Sequence, residues 1–293
     1  MTRIACGVAA VAFAALAVLP AGAAARDTVV ASSVERSVTV SAGDTRSLRL
    51  ACPETAVALN AALVEPPRGV IVRDSIPGAQ ARRWTFRLAA VAGASEREVT
   101  GVVRCVRLRL PARVSDVILR VSSEAQPDRV VSAGQSVRIG PRCPRGYVPT
   151  GQGIGASSRD VSVAAAIPNA RGWNFRIENT GSSDATFTAR IRCLQRTVIG
   201  SRRNKTVRLR FDVQRTAFRR TVAAGREPGF EGFCAGDHFS LATGISLGQD
   251  HDVQLADSYP SGGSSARWSF DQVREAESVR AYMLCVARFS RFG

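Results

Sequence analysis

The sequence predicts an all-β protein made of three tandem, small antiparallel β-sandwich domains of immunoglobulin-like character, each with one internal disulfide. Three observations predict it. Six cysteines beyond the N-terminal region fall at 52, 105, 143, 193, 234 and 285, and Cys52, Cys143 and Cys234 recur every 91 residues. All three tryptophans, Trp84, Trp173 and Trp268, occur in one context, Trp-x-Phe. Between these landmarks, short runs of valine, isoleucine, threonine and aromatics are punctuated by turn residues, with no long stretch of helical periodicity.

In chain order, residues 1–25 come first. Arg3 precedes an apolar run from Ile4 to Leu19, followed by Pro20 and a small-residue stretch in which Ala23 and Ala25 form an A-x-A pattern. This predicts a secretory signal peptide cleaved before Arg26. The run is short for a membrane anchor and is broken by Pro20 and Gly22. Cys6 lies near the start of the run rather than after a small-residue box, which argues against a lipoprotein. The mature chain is therefore expected outside the cytoplasm, secreted or at the cell surface, without a transmembrane segment.

Three domains are then expected, at 26–112, 113–202 and 203–293, built on one plan. The glycine of "SAG" (Ser41–Gly43), "SAG" (Ser132–Gly134) and "AAG" (Ala223–Gly225) stands nine residues before each opening cysteine. A proline turn follows, with Pro77 in "SIPGA", Pro168 in "AIPNA" and Pro260 in "SYPSG". Each unit closes on a cysteine in an apolar strand, "GVVRCVRL", "ARIRCLQR" and "AYMLCVAR". Six cysteines permit many pairings, and the repeat selects 52–105, 143–193 and 234–285. Export makes their oxidation plausible, and loops of this size would each contribute roughly 4 kcal/mol in the chain-entropy view. There is no C-x-x-C and histidine occurs only twice, so neither a metal nor a cofactor is expected.

A strand alternates its side chains, so Trp84 and Phe86, Trp173 and Phe175, and Trp268 and Phe270 each share a face. These pairs are the expected core anchors; the rival reading makes the tryptophans an exposed stacking surface.

These residues carry a resemblance. The pattern Cys-Pro, glycine-rich strand, YPS-like turn, GW-x-V/F strand and closing cysteine strand resembles a repeat of secreted bacterial proteins, often actinobacterial. It is fullest in "CPRGYVPTGQGIGASS" and "AIPNARGWNFRIENTGSSDATFTARIRC". The third unit has Ala235 in place of the proline, and the first reads "ALNAALVE" where the glycines belong. The resemblance implies a secreted β-sandwich module with no agreed activity.

Sites that suggest chemistry mostly read as structure. "GISLG" around Ser246 matches a nucleophile elbow in letters, yet aligns with the glycine-rich strand of the second unit. "GQGIGAS" from Gly151 lacks the spacing of a phosphate loop and reads as a strand approached closely by other backbone. His238 with Asp237, and His251 between Asp250 and Asp252, read as polar turn residues. No catalytic residue is expected. Lys+Arg number 40 against 24 Asp+Glu, a net charge of +16, and lysine occurs once, at Lys205. Arginines alternate with apolar residues at Arg107 and Arg109, Arg190 and Arg192, and Arg208 and Arg210, which predicts an outward basic face, either an ordinary solvated one or a surface for an anionic polymer. Aromatics make up only 6% and are committed to cores, so no specific nucleic-acid partner is expected.

The reading that follows is a secreted, non-enzymatic cell-envelope or extracellular protein. It would be structural or adhesive, or would bind an anionic cell-wall polymer or a surface protein partner. The alternative is a hydrolase acting on surface polymers.

Overall fold

The computed structural model describes residues 28–64, 69–109, 114–115, 119–202, 205–222, 229–247, 253–259, 263–273 and 277–287. The expected signal peptide, the AAG turn at 223–225, Pro260 and the 250–252 cluster lie outside these residues. The described residues form antiparallel strands and no helix.

The first segment holds β1 (Thr28–Val40), β2 (Thr45–Ala51), β3 (Val57–Val64), β4 (Val70–Pro77), β5 (Arg83–Ala90) and β6 (Arg97–Arg109), with the short β7 (Val114–Ser115) after it. The second holds β8 (Val121–Ala125), β9 (Arg129–Val131), β10 (Ser136–Ile139), β11 (Tyr147–Ala156), β12 (Val161–Asn169), β13 (Gly172–Asn179) and β14 (Ala185–Gln195). A hairpin of β15 (Thr197–Arg202) and β16 (Lys205–Arg210) follows and pairs with β7. The third segment holds β17 (Val213–Val222), β18 (Phe230–Phe233), β19 (His238–Ser246), β20 (Val253–Tyr259), β21 (Ser265–Val273) and β22 (Glu277–Ala287).

One layering recurs. The first, last and third strands of a segment form one layer: β1-β6-β3, β8 and β9 with β14-β11, and β17-β22-β19. The second, fifth and fourth form the other: β2-β5-β4, β10-β13-β12 and β18-β21-β20. A disulfide ties the layers together in each segment, Cys52–Cys105, Cys143–Cys193 and Cys234–Cys285, pairing as the cysteine register predicts. Beside it sit the Trp-x-Phe residues. Trp84, Trp173 and Trp268 are completely buried, and Phe86, Phe175 and Phe270 almost so. The SAG glycines close the turns before the second strands with φ of 74° at Gly43 and 67° at Gly134, a conformation that costs a glycine nothing.

The segments do not stand apart. β4 pairs with β11, so that layers of the first and second segments merge into one seven-stranded sheet. β12 pairs with β19 and merges the second with the third in a six-stranded sheet. β20 of the third segment then lies against β3 of the first, and the chain closes into a ring. The buried cluster around Trp173 accordingly includes Leu59 and Val106 from the first segment and Phe239 and Leu241 from the third.

Each junction joins the fourth strand of one segment to the third strand of the next, and these strands are irregular at matching places. The third strands slip register at Ala58/Asn60, Pro149/Gly151 and Ser240/Ala242. The fourth strands do so at Val72/Asp74, Val163/Ala165 and Leu255/Asp257. A bulge bends and twists a strand, which lets one layer serve its own segment and its neighbour. Glycine supplies the rest: a Cβ at Gly153 would stand 2.1 Å from the Ser75 carbonyl oxygen, and one at Gly244 2.4 Å from that of Ala166.

Gly153→Ala should therefore push two backbones apart and lower stability by about 1–3 kcal/mol, as overpacking does. Gly140→Ala, whose Cβ would meet nothing closer than 3.5 Å, serves as the near-neutral control in thermal unfolding. Trp173→Ala should cost about 3–5 kcal/mol in the full chain. The indole N–H separates the three anchors: Trp84 donates to Ser75 Oγ and Trp268 to the Gly244 carbonyl, while Trp173 Nε1 is buried without a partner. Trp173→Phe should thus cost less than Trp84→Phe or Trp268→Phe, read from denaturant midpoints.

Candidate functional site

Arginine serves in two places in this fold, at the junctions and at the free surface. The junction group, of which Arg104 and Arg192 are buried and Arg215 is exposed, clamps the segments together. Arg192 is 1% exposed and donates from Nη2 to the carbonyls of Gly78 (2.9 Å) and Arg83 (3.2 Å), in the turn between β4 and β5. Its guanidinium lies over the Trp84 ring, 5.8 Å from the centroid. Arg104 makes the matching reach from the first segment to the third, from Nε to the Ser240 carbonyl (3.1 Å) and from Nη2 to that of Gly263 (2.9 Å). Its Nη1 donates to Ser33 Oγ, the residue across the β1–β6 ladder. In the third segment the residue before the closing cysteine is Leu284, and the arginine stands directly across the ladder from it. That residue, Arg215, donates from Nη1 to the Pro168 carbonyl (3.0 Å) between β12 and β13. All three turns between a fourth and a fifth strand are held by an arginine of another segment.

This corrects the sequence expectation for two residues. Arg190 and Arg192 alternate along β14 as predicted, but the face they occupy is not solvent, because the first segment covers it. Arg192 is buried, and Arg190 is half-buried with Nη1 3.6 Å from Asp74 Oδ1 on β4. Burial lowers the Arg192 pKa from its ordinary value to about 10 through desolvation, leaving it charged at neutral pH. Bare spacing could not separate these arginines from exposed ones. A signal was present nonetheless: "VVRCV" and "RIRCL" carry a charge inside the most apolar strand of their units.

The surface group includes the other four predicted residues. Arg107 and Arg109 at the end of β6, and Arg208 and Arg210 on β16, are exposed and make no ion pair with a described residue. The apolar residues beside them, Val106, Leu108 and Phe211, pack into one buried cluster with Val198 of β15. The two arginine strands are thereby anchored in the same core.

The remaining motifs fall where structure explains them. Ser246 ends β19 and is paired with Ala165 on one side and Arg280 on the other, so it is not displayed on a nucleophile elbow. Gly151, Gly153 and Gly155 of "GQGIGAS" lie in β11 against the backbone or side chains of β3, β4 and β14. Asp237 is exposed, whereas His238 is half-buried with neither ring nitrogen hydrogen-bonded. The cluster of Asp250, His251 and Asp252 lies outside the described residues. Among the described residues no helix is long and apolar enough to cross a membrane.

Cavities sit at the junctions, one of about 460 Å³ between the second and third segments beside Arg138, Arg176 and Ser246. Another of about 210 Å³ lies where all three segments meet, walled by Ala62, Phe86, Gly153, Ile154, Val163 and Ile245 among others. A further one, of about 370 Å³, opens between β4 and the β8–β14 edge beside Arg190 and Arg192. No family model matches the chain, and no curated protein is significantly similar to it.

The exchange of arginine across the third ladder is testable. Arg215→Ser should lower the melting temperature by releasing the Pro168 carbonyl. Adding Leu284→Arg, which restores the Arg–Ser pairing found at Arg104–Ser33 and Arg192–Ser123, should recover most of the loss.

Proposed function

We propose that the chain is a secreted, non-enzymatic protein of the cell envelope or extracellular space that binds an anionic surface polymer. The exposed arginines Arg107, Arg109, Arg208 and Arg210 carry this reading: they face solvent without an ion pair to an acid among the described residues, on strands whose apolar neighbours share one core. A net charge of +16 adds long-range attraction for polyanions such as wall polymers. Three internal disulfides, with no long apolar helix among the described residues, are compatible with life outside the cell. The signal-peptide pattern of residues 1–25 supports the same location.

Mature protein should bind isolated anionic wall polymer with an affinity that falls steeply between low and physiological salt, where charges beyond about 8 Å are screened. Replacing Arg107, Arg109, Arg208 and Arg210 together by Gln should weaken binding while leaving the melting temperature within a few degrees, since exposed strand substitutions change stability little. Salt-independent binding, or a variant equal to wild type, would rule this face out.

A further inference from the structure

We propose that the cleft between the first and second segments binds a small organic oxyanion, a phosphate monoester or carboxylate on an apolar body, with Arg192 and Arg190 as its receptors. This site is separate from the polymer-binding face and does not depend on it. The argument begins with an uncompensated charge. Arg192 is buried and charged, yet no carboxylate of a described residue lies within ion-pair distance of it. Its bonded partners are the two carbonyls of the turn, both reached by Nη2, and Nε is left buried with no partner.

The equivalent arginine shows what a pure clamp looks like. Arg104 uses Nε, Nη1 and Nη2, and the serine across its ladder, Ser33, accepts one of those bonds. Arg192 faces Ser123 at the same ladder position with no bond between them, and the cleft of about 370 Å³ opens at this place. Arg190, which also lines the cleft, likewise has Nη1 buried without a hydrogen-bond partner, 3.6 Å from Asp74 Oδ1. Two guanidinium groups thus border one opening, and a buried donor left unbonded is costly enough that native proteins seldom leave one.

The charge around the cleft favours an anion. Asp74 takes Arg190 at 3.6 Å and is shared with Arg87 at 3.4 Å, so one carboxylate serves two guanidinium groups and none of it reaches Arg192. Glu124 is the acid among the lining residues. It pairs in register with Ile191, on the strand face opposite that of Ser123 and Arg192. The other wall is apolar, formed by Ile76, Pro77, Ala79 and Val121. An opening of this size with a polar end and an apolar flank suits a small organic molecule better than a bare ion.

The test is calorimetric titration of the mature, disulfide-intact chain at physiological salt with phenyl phosphate, inorganic phosphate and phenol. Phenyl phosphate should bind saturably and at least tenfold more tightly than inorganic phosphate, with phenol showing no binding. Arg190→Gln should weaken phenyl phosphate binding at least tenfold, and Arg107→Gln, on the distant exposed strand, should leave it unchanged. Should Arg190→Gln fail to fold, Ser123→Glu, at an exposed position of the edge strand, places a carboxylate at the mouth and should abolish binding. No saturable binding at millimolar phenyl phosphate would overturn the proposal. Equal loss in Arg190→Gln and Arg107→Gln would also overturn it, by reducing the binding to attraction by net charge.

Discussion

The ring depends on arginines that reach from one segment to backbone carbonyls at the turn between the fourth and fifth strands of another. Some of these carbonyls also accept a bond within their own segment, Arg83 from the Gly78 N–H and Gly263 from the Ser240 N–H. A carbonyl oxygen has two lone pairs, and the second bond, made across a junction, ties two segments together. A guanidinium suits this role because it presents several N–H donors in a rigid fork and is less strongly hydrated than an ammonium. Burying that charge is itself costly. The Trp84 ring beneath Arg192 and the Phe239 ring beneath Arg104 (5.9 Å) offset part of the cost, each aromatic face favouring a cation by roughly 1–2 kcal/mol when desolvated.

Other features of the junctions bring the turn within reach of its arginine. Gly153 and Gly244 remove a Cβ that would collide with the facing carbonyl, and the bulges curve the third and fourth strands toward each other. The first segment departs from this plan in a way that explains its own sequence. It carries Ala62 where the others carry Gly153 and Gly244, and at its junction β3 and β20 meet without forming a ladder. Ala62 there borders the cavity of about 210 Å³ where the three segments meet. With β3 and β20 in separate sheets, Arg104 bears more of the connection, with Nε and Nη2 both bonded to carbonyls of the third segment.

Much of the fold was legible in the sequence because its determinants are local. A cysteine register of constant period names its own pairs, and Trp-x-Phe in a strand places both rings on one side, where the structure buries them. The continuity of the sheets between segments was not legible. Alternation along β14 marks Arg190 and Arg192 as sharing a face but cannot say what covers that face, since the covering turn lies more than a hundred residues away in the chain. The glycines of β11 were read correctly as sites of close backbone approach. Which backbone approaches, the Ser75 carbonyl of another segment, is a tertiary fact with no local trace. The arginine of the third junction was hidden more completely, because it had moved to the opposite strand, from the position of Leu284 to that of Arg215.

The two arginine populations change how the net charge should be understood. A total of +16 invites an account in which every cation serves a polyanionic partner, yet Arg104 and Arg192 are withdrawn from solvent and Arg215 is engaged with a neighbouring turn. The buried Arg104 and Arg192 contribute to the long-range field but cannot touch a polymer. Replacing them would perturb assembly of the ring rather than recognition. Charge available for contact lies instead on exposed arginines in every segment, and at Arg107, Arg109, Arg208 and Arg210 the neighbouring Val106, Leu108 and Phe211 hold the backbone in place. A guanidinium on an anchored strand loses less freedom on binding than one on a loose loop, so position within the fold, more than the number of arginines, decides which of them can select a partner.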